Sequence, residues 1–232
     1  MSNKRRKRQK KSGKDRRIGF ILFLVLGGLF TCLAFFLSYV LYQIQVMNEY
    51  HEQQKVEQGD LDLIVELLTV NPYSRPGTIR KRTKGIVIHY VANPMSTAKQ
   101  NRDYFESLKY RHDRKASSHF VVGLDGEIIQ CIPSEEISYA SNNRNKDTIS
   151  IEVCHPDETG RFNEKTYWSL VKLTAFMADK YKVKQKEIIR HYDVTGKLCP
   201  KYYVEHEDKW IQLKKDIEAE RKKRKALLSN KD

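Results

Sequence analysis

Thr148-Ile-Ser-Ile-Glu-Val-Cys154 alternates without a slip, with Ile149, Ile151 and Val153 on one side and Ser150, Glu152 and Cys154 on the other. Period-two alternation in a stretch rich in β-branched residues predicts a strand with its isoleucine side against a core. It also puts the carboxylate of Glu152 on the face away from those isoleucines. Working outward, Gly85-Ile-Val-Ile-His-Tyr90 reads as a second β-branched strand. Ser118-His-Phe-Val-Val-Gly123 and Glu127-Ile-Ile-Gln-Cys-Ile132 flank Asp125-Gly126, a strong hairpin signal. Glu187-Ile-Ile-Arg190 is a short strand that runs into His191. Helical patterns lie between the strands. Ser96 can cap a helix running to about Tyr110, and residues 163–181 carry the clearest stripe, with Leu170, Val171, Thr174, Met177 and Ala178 at helical spacing. Trp210, Leu213 and Ile217 begin a last helix, expected to decay in the basic cluster 221–225. The alternation predicts an α/β domain, a mixed central β-sheet with helices packed on it.

That domain is expected over residues 71–217, a length sufficient for one core. Residues 44–70 read as a juxtamembrane spacer and stalk. Leu61, Leu63, Ile64, Leu67 and Leu68 suggest a short apolar helix there, ended by Asn71-Pro72 and Arg75-Pro76-Gly77. Residues 218–232 read as a basic tail.

The 232 residues carry a net charge of +14, and its distribution is informative. Residues 4–17 hold ten Lys and Arg against Asp15, which leaves +5 for the rest of the chain. Residues 18–42 contain no charge at all. As a helix they would span roughly 37 Å, enough to cross a hydrocarbon core of about 30 Å. The stretch is too long for the apolar part of a cleaved signal peptide, and no small-residue cleavage site follows it. Residues 18–43 are therefore expected to be a single uncleaved membrane anchor. The basic segment 1–17 then stays in the cytoplasm and the remainder lies outside. The basic run has no aromatic residue to stack on bases, so nucleic acid is not expected as a partner.

Four cysteines and seven histidines remain to be assigned. Cys32 falls in the apolar span. Cys131 and Cys154 fall in predicted strands and read most simply as buried thiols, with a bridge between them left open. His89 ends a hydrophobic strand, where a polar side chain needs a reason to be. His191 and Cys199 lie eight residues apart in Arg190-His-Tyr-Asp-Val-Thr-Gly-Lys-Leu-Cys-Pro200. Together the three could form a His₂Cys set, and three protein ligands with a fourth position open is the pattern of a catalytic zinc site. On spacing alone, a core histidine, a surface histidine and an unpaired thiol explain the same residues.

Five segments in order resemble the zinc-dependent N-acetylmuramoyl-L-alanine amidases, the family related to the phage-lysozyme-type amidases and the peptidoglycan recognition proteins. They are Ile86-Val-Ile-His-Tyr-Val-Ala-Asn-Pro94, Ala116-Ser-Ser-His-Phe-Val-Val122, Asp125-Gly-Glu-Ile-Ile-Gln130, Asn143-Arg-Asn145 with Ile149-Ser-Ile-Glu-Val-Cys154, and the segment 190–200. The resemblance implies that His89, His191 and Cys199 bind Zn²⁺. It implies that Glu152 is the general acid/base and Lys197 the cationic partner near the metal. Some relatives carry a catalytic tyrosine just before the histidine of the Ser-His-Phe segment; Ser118 stands there here, which shifts the expected burden to Glu152. Asn143 and Arg144 are expected to shape the substrate groove; His119 reads either as a residue of that groove or one backing the site, or as a satisfied core histidine, and His155 either as a groove residue near the metal or as a loop histidine at a strand end. The implied substrate is peptidoglycan, hydrolysed between N-acetylmuramic acid and L-alanine by a membrane-anchored monomer. Two rival readings are a non-catalytic peptidoglycan-binding module, whose known examples lack the cysteine, and a zinc peptidase acting within the stem peptide.

Overall fold

The computed structural model describes residues 2–58, 61 and 63–229, with side chains for residues 17–45, 61 and 63–229. The chain divides into two compact units, residues 1–59 and 60–232. In the first, α1 (Ser2–Gln58) is one continuous helix through the segments expected as tail, anchor and spacer. Within it Arg17–Gln45 is apolar and long enough to cross a membrane, and none of it is buried in protein. Its polar residues satisfy themselves locally: Thr31 Oγ1 donates to the Gly28 carbonyl and Ser38 Oγ to that of Ala34. The side chains of the basic run 4–16 and of the spacer 46–60 lie outside the described residues.

The second unit is built on a six-stranded sheet of order β1-β4-β3-β5-β2-β6. The strands are β1 (Leu63–Val65), β2 (Gly85–Ile88), β3 (Phe120–Val122), β4 (Ile128–Gln130), β5 (Thr148–Val153) and β6 (Ile188–Arg190). β3, β5, β2 and β6 are mutually parallel, whereas β4 returns antiparallel to β3 through the Asp125-Gly126 turn. Gly126 has φ +90°, a conformation that costs a residue with a Cβ dearly. The helices are α2 (Ala98–Arg111), α3 (Glu164–Lys180), the single turns α4 (His191–Thr195) and α5 (Lys201–Glu205), and α6 (Glu207–Ser229).

Both faces of the sheet are covered, which explains why Ile86, Val87 and Ile88 are all fully buried. On one face Ile149, Ile151 and Val153 pack with Leu170, Val171, Leu173 and Met177 of α3 and with Leu213 and Ile217 of α6. On the other Val121, Ile129, Cys131 and Cys154 meet Phe105 of α2 and Leu68. α3 buries a wider stripe than one apolar face requires, because α6 packs against it as well. Asn163 caps α3 by accepting from the Thr166 amide. α2 is capped by Thr97, one residue later than expected, through a reciprocal box with Gln100; Ser96 instead donates to the Asn93 carbonyl. Cys131 and Cys154 are both buried free thiols.

Two expectations are corrected. Residues 61–70 are not a helical stalk: Leu63–Val65 adds a strand parallel to β4, and Leu68 enters the core. Their apolar spacing suits a helix or a strand, and pairing with β4 decides. The basic cluster 221–225 does not end the last helix, which continues to Ser229. Arg221 is held there by Asp179 of α3 at 2.8 Å and Glu218 at 3.2 Å. Leu68→Ala should destabilise the second unit by about 3 kcal/mol, the usual cost of truncating a fully buried leucine. A shift below about 0.5 kcal/mol in denaturant unfolding would return the segment to a stalk.

Candidate metal centre and cleft

Parallel strands deliver their next residues to one edge of the sheet. His89 follows β2, Glu152 lies near the end of β5 and His191 follows β6. Cys199 reaches the same edge because α4 is a single turn closed by Gly196 in the left-handed region, φ +77°. The Tyr192 amide then donates to the Cys199 carbonyl at 2.9 Å and cinches the loop. Arg190 secures this turn. Its guanidinium meets Asp193 at 2.9 Å, Glu207 at 2.5 Å and the Tyr203 carbonyl at 2.9 Å, and it stacks over Trp210.

His89, His191 and Cys199 are all buried, and a ligand atom from each lies within 4.8 Å of the others. His89 Nδ1 is 3.9 Å from Cys199 Sγ. Its other nitrogen, Nε2, is paired with Ser141 Oγ at 3.1 Å, and His191 Nε2 with Asn142 Oδ1 at 3.3 Å. Such outer hydrogen bonds orient histidine ligands. Burial, then the neighbouring His191 and Lys197, holds His89 well below its usual pKa; burial and Lys197 do the same to His191. Both imidazoles are therefore neutral near pH 7, the form that coordinates a metal.

Glu152 Oε1 approaches His89 Nδ1 at 3.9 Å, while Oε2 is buried with no partner among the described residues. Burial pushes this carboxyl up to about 8 against the opposing pull of the Lys197 ammonium. Burial and the Glu152 charge push the Cys199 thiol up to about 12, although the Tyr90 amide and Lys197 oppose them. Burial holds two acids toward neutrality beside two neutral imidazoles, four groups that can each donate a lone pair once deprotonated. The donor set and the orphaned oxygen thus fit a divalent cation.

Glu152 and Lys197 both line a cleft of about 750 Å³ next to this centre. The Val91–Ser96 segment, Tyr90, Gln100, Asn101, Tyr104 and Arg114 form its other walls.

The groove residues expected from sequence fare unevenly. Of the two readings open for His119, its burial and hydrogen bonds are those of a core histidine. Nδ1 accepts from the Ser150 amide at 3.0 Å and Nε2 donates to the Glu136 carbonyl at 2.9 Å. Burial and the adjacent Arg80 pull it down to about 3. Arg144 faces away from the centre, pairing with Asp147 at 2.7 Å and standing next to Gly85 at the far end of β2. Asn142 and Asn143 are both exposed; Asn142, in the left-handed region at φ +52°, makes the contact to His191. His155 is buried behind Tyr90, ring on ring at 5.1 Å, with Nδ1 donating to the Asp157 carbonyl. Ser141, Asn142 and Tyr90 were missed. The Asn142-Asn143 pair is a turn signal that marks the place without distinguishing which asparagine points inward.

The fold and site define a class: an α/β domain with a buried His₂Cys centre at the carboxyl ends of its parallel strands, flanked by a carboxylate and an ammonium at a cleft. The family model described as N-acetylmuramoyl-L-alanine amidase matches residues 79–202, and the chain belongs to this family. It is 32% identical over 182 residues to the N-acetylmuramoyl-L-alanine amidase CwlL of Bacillus licheniformis, covering 73% of this chain and 48% of that protein. It is 29% identical over 173 residues to the amidase BlyA of Bacillus subtilis, covering 66% and 46%. The chain thus spans about half the length of the curated relatives it matches. A mutant endolysin from Bacillus subtilis superposes with a TM-score of 0.56 at 25% identity, over 68% of this chain and 99% of that one. The structure of PlyL shares the fold, with a TM-score of 0.58 at 21% identity, over 68% and 97%.

Proposed function

We propose that the chain is a zinc-dependent amidase that hydrolyses the bond between the lactyl group of N-acetylmuramic acid and L-alanine in peptidoglycan. The convergence of His89, His191 and Cys199 on one buried point beside the unpartnered Glu152 oxygen carries this reading. His89, His191 and Cys199 would hold the zinc. Bound there, it supplies Lewis acidity to polarise the amide carbonyl and to make water nucleophilic near neutral pH. Glu152 takes the proton of the attacking water on its free Oε2 and returns it to the departing alanine nitrogen. Burial raises its pKa, which favours handing the proton on to the leaving nitrogen, while a divalent charge alongside would favour the carboxylate form that first accepts it. The Lys197 ammonium faces the same cleft and stabilises the negative charge that develops on the carbonyl oxygen. Lys197→Met is therefore expected to lower kcat by about 10²-fold with little change in zinc content.

Metal binding is coupled to protons. Cys199 must lose its thiol proton to act as a ligand, and that thiol sits at about 12 in the free site. Apparent zinc affinity should then rise by about tenfold per pH unit through the neutral range, with about one proton or more released per zinc. Calorimetry in buffers of different ionisation heat reads this number directly. Affinity independent of pH would exclude a thiolate ligand.

The proposal places α1 in the membrane with its basic end in the cytoplasm, so that the second unit works on the wall side. Incubating the full chain in detergent with purified peptidoglycan and labelling the new amino groups tests the activity. N-terminal L-alanine is expected. New termini at other stem residues would point to a peptidase, and no new termini to a binding module.

A further inference from the structure

The metal centre and its cleft occupy the carboxyl ends of β2, β5 and β6. A second hollow, about 800 Å³, lies at the opposite end of the same three strands. Its walls come from residues 82–84 before β2, 144–147 before β5, and 180–187 between α3 and β6. From Gly85 to His89 the chain advances about 13 Å, so the two sites are separated by the length of a strand.

This hollow is strongly basic, with seven Lys and Arg against Asp147 and Glu187. Lys84, Arg144 and Lys180 are neutralised in part by Asp147, Glu187 and Glu135. Arg82, Lys182, Lys184 and Lys186 are exposed and make no ion pair among the described residues. Lys182 is placed at some cost. It stands in the left-handed region, φ +54°, just past the end of α3, with its amide donating to the Asp179 carbonyl and that of Val183 to Ala178. Glycine is the usual residue there. A smaller hollow shares Lys182 and Lys184 and continues to Arg221 and Lys225, which Asp179 and Glu218 neutralise in part. The cations without an ion pair, Arg82, Lys182, Lys184 and Lys186, therefore lie along the first hollow and reach the rim of the second. No exposed large apolar side chain lines either hollow, as a bilayer-docking surface would require.

We propose that this amino-end hollow is a docking site for a phosphodiester-linked anionic polymer, separate from the catalytic cleft. Concave walls with unpaired cations spread along them suit a chain of successive phosphates. Its position at the far end of the strands lets the polymer bind while the cleft stays open to substrate.

The test uses the full chain in neutral detergent and fluorescent poly(glycerol phosphate). Wild type should bind with an affinity that falls steeply with salt. Arg82→Gln combined with Lys184→Gln and Lys186→Gln should weaken binding by at least about tenfold, with zinc content and hydrolysis of a short soluble muramyl peptide unchanged. A second variant with glutamine at the basic positions of residues 4–17 should still lose affinity when the hollow is also neutralised. Binding unaffected by the triple substitution, or lost only with the tail, overturns the proposal. So does hollow-dependent binding of phosphatidylglycerol vesicles by the chain in phosphatidylcholine nanodiscs without binding of the polymer.

Discussion

Cys199→Ala is expected to leave the protein folded, to strip the site of zinc and to abolish hydrolysis. The side chain is almost fully buried, but its removal deletes a single sulfur from a site whose strands and helices pack elsewhere. The fold cost is therefore small beside the effect on the metal. Two neutral imidazoles remain, with no anionic ligand to balance a divalent charge. Removing only an outer hydrogen-bond partner of a ligand typically costs about 10–100-fold in affinity, and removing the ligand itself exceeds that. Zinc analysis after dialysis, circular dichroism and the rate on peptidoglycan separate the outcomes. Unchanged zinc with an unchanged rate would remove Cys199 from the ligand set.

Glu152→Gln separates proton transfer from metal binding. Glutamine keeps the shape of the side chain and discards its charge. Burial disfavours the ionised carboxylate in the free protein, so the substitution should leave stability equal or slightly higher. Zinc should remain, since Glu152 is outside the three-ligand set. kcat should fall by about 10²–10⁴-fold, the usual worth of a positioned acid/base, with KM little changed. A rate within a few-fold of wild type would take Glu152 out of the mechanism.

The parts of this fold that were legible in sequence are those dictated by local pattern. The alternation at 148–154 placed β5 and its two faces, Asp125-Gly126 placed the hairpin, and Asn163 marked the start of α3. The three candidate ligands stood out only weakly by local pattern, a histidine at a strand end and a His–Cys pair eight residues apart, and it was the resemblance of five ordered segments that joined them into one set. What was not legible depended on distant partners. β1 is a three-residue strand whose identity comes from pairing with β4. The extension of α6 depends on Asp179, which lies 42 residues before Arg221. His119 sits in a segment that resembles a site, yet Arg80, Glu136 and Ser150 from three other segments absorb it into the core. Arg144 is claimed by Asp147 and Glu187 in the same way.

The proposed activity is defined by the bond that is cut. Mass spectrometry of peptidoglycan digested by the full chain, with Cys199→Ala as the control, reads it directly. Expected are glycan fragments whose muramic acid ends in a free lactyl carboxylate, together with stem peptides that begin at L-alanine, and neither product from the variant. Muramic acid still carrying L-alanine, with stem peptides shortened from within, would contradict it.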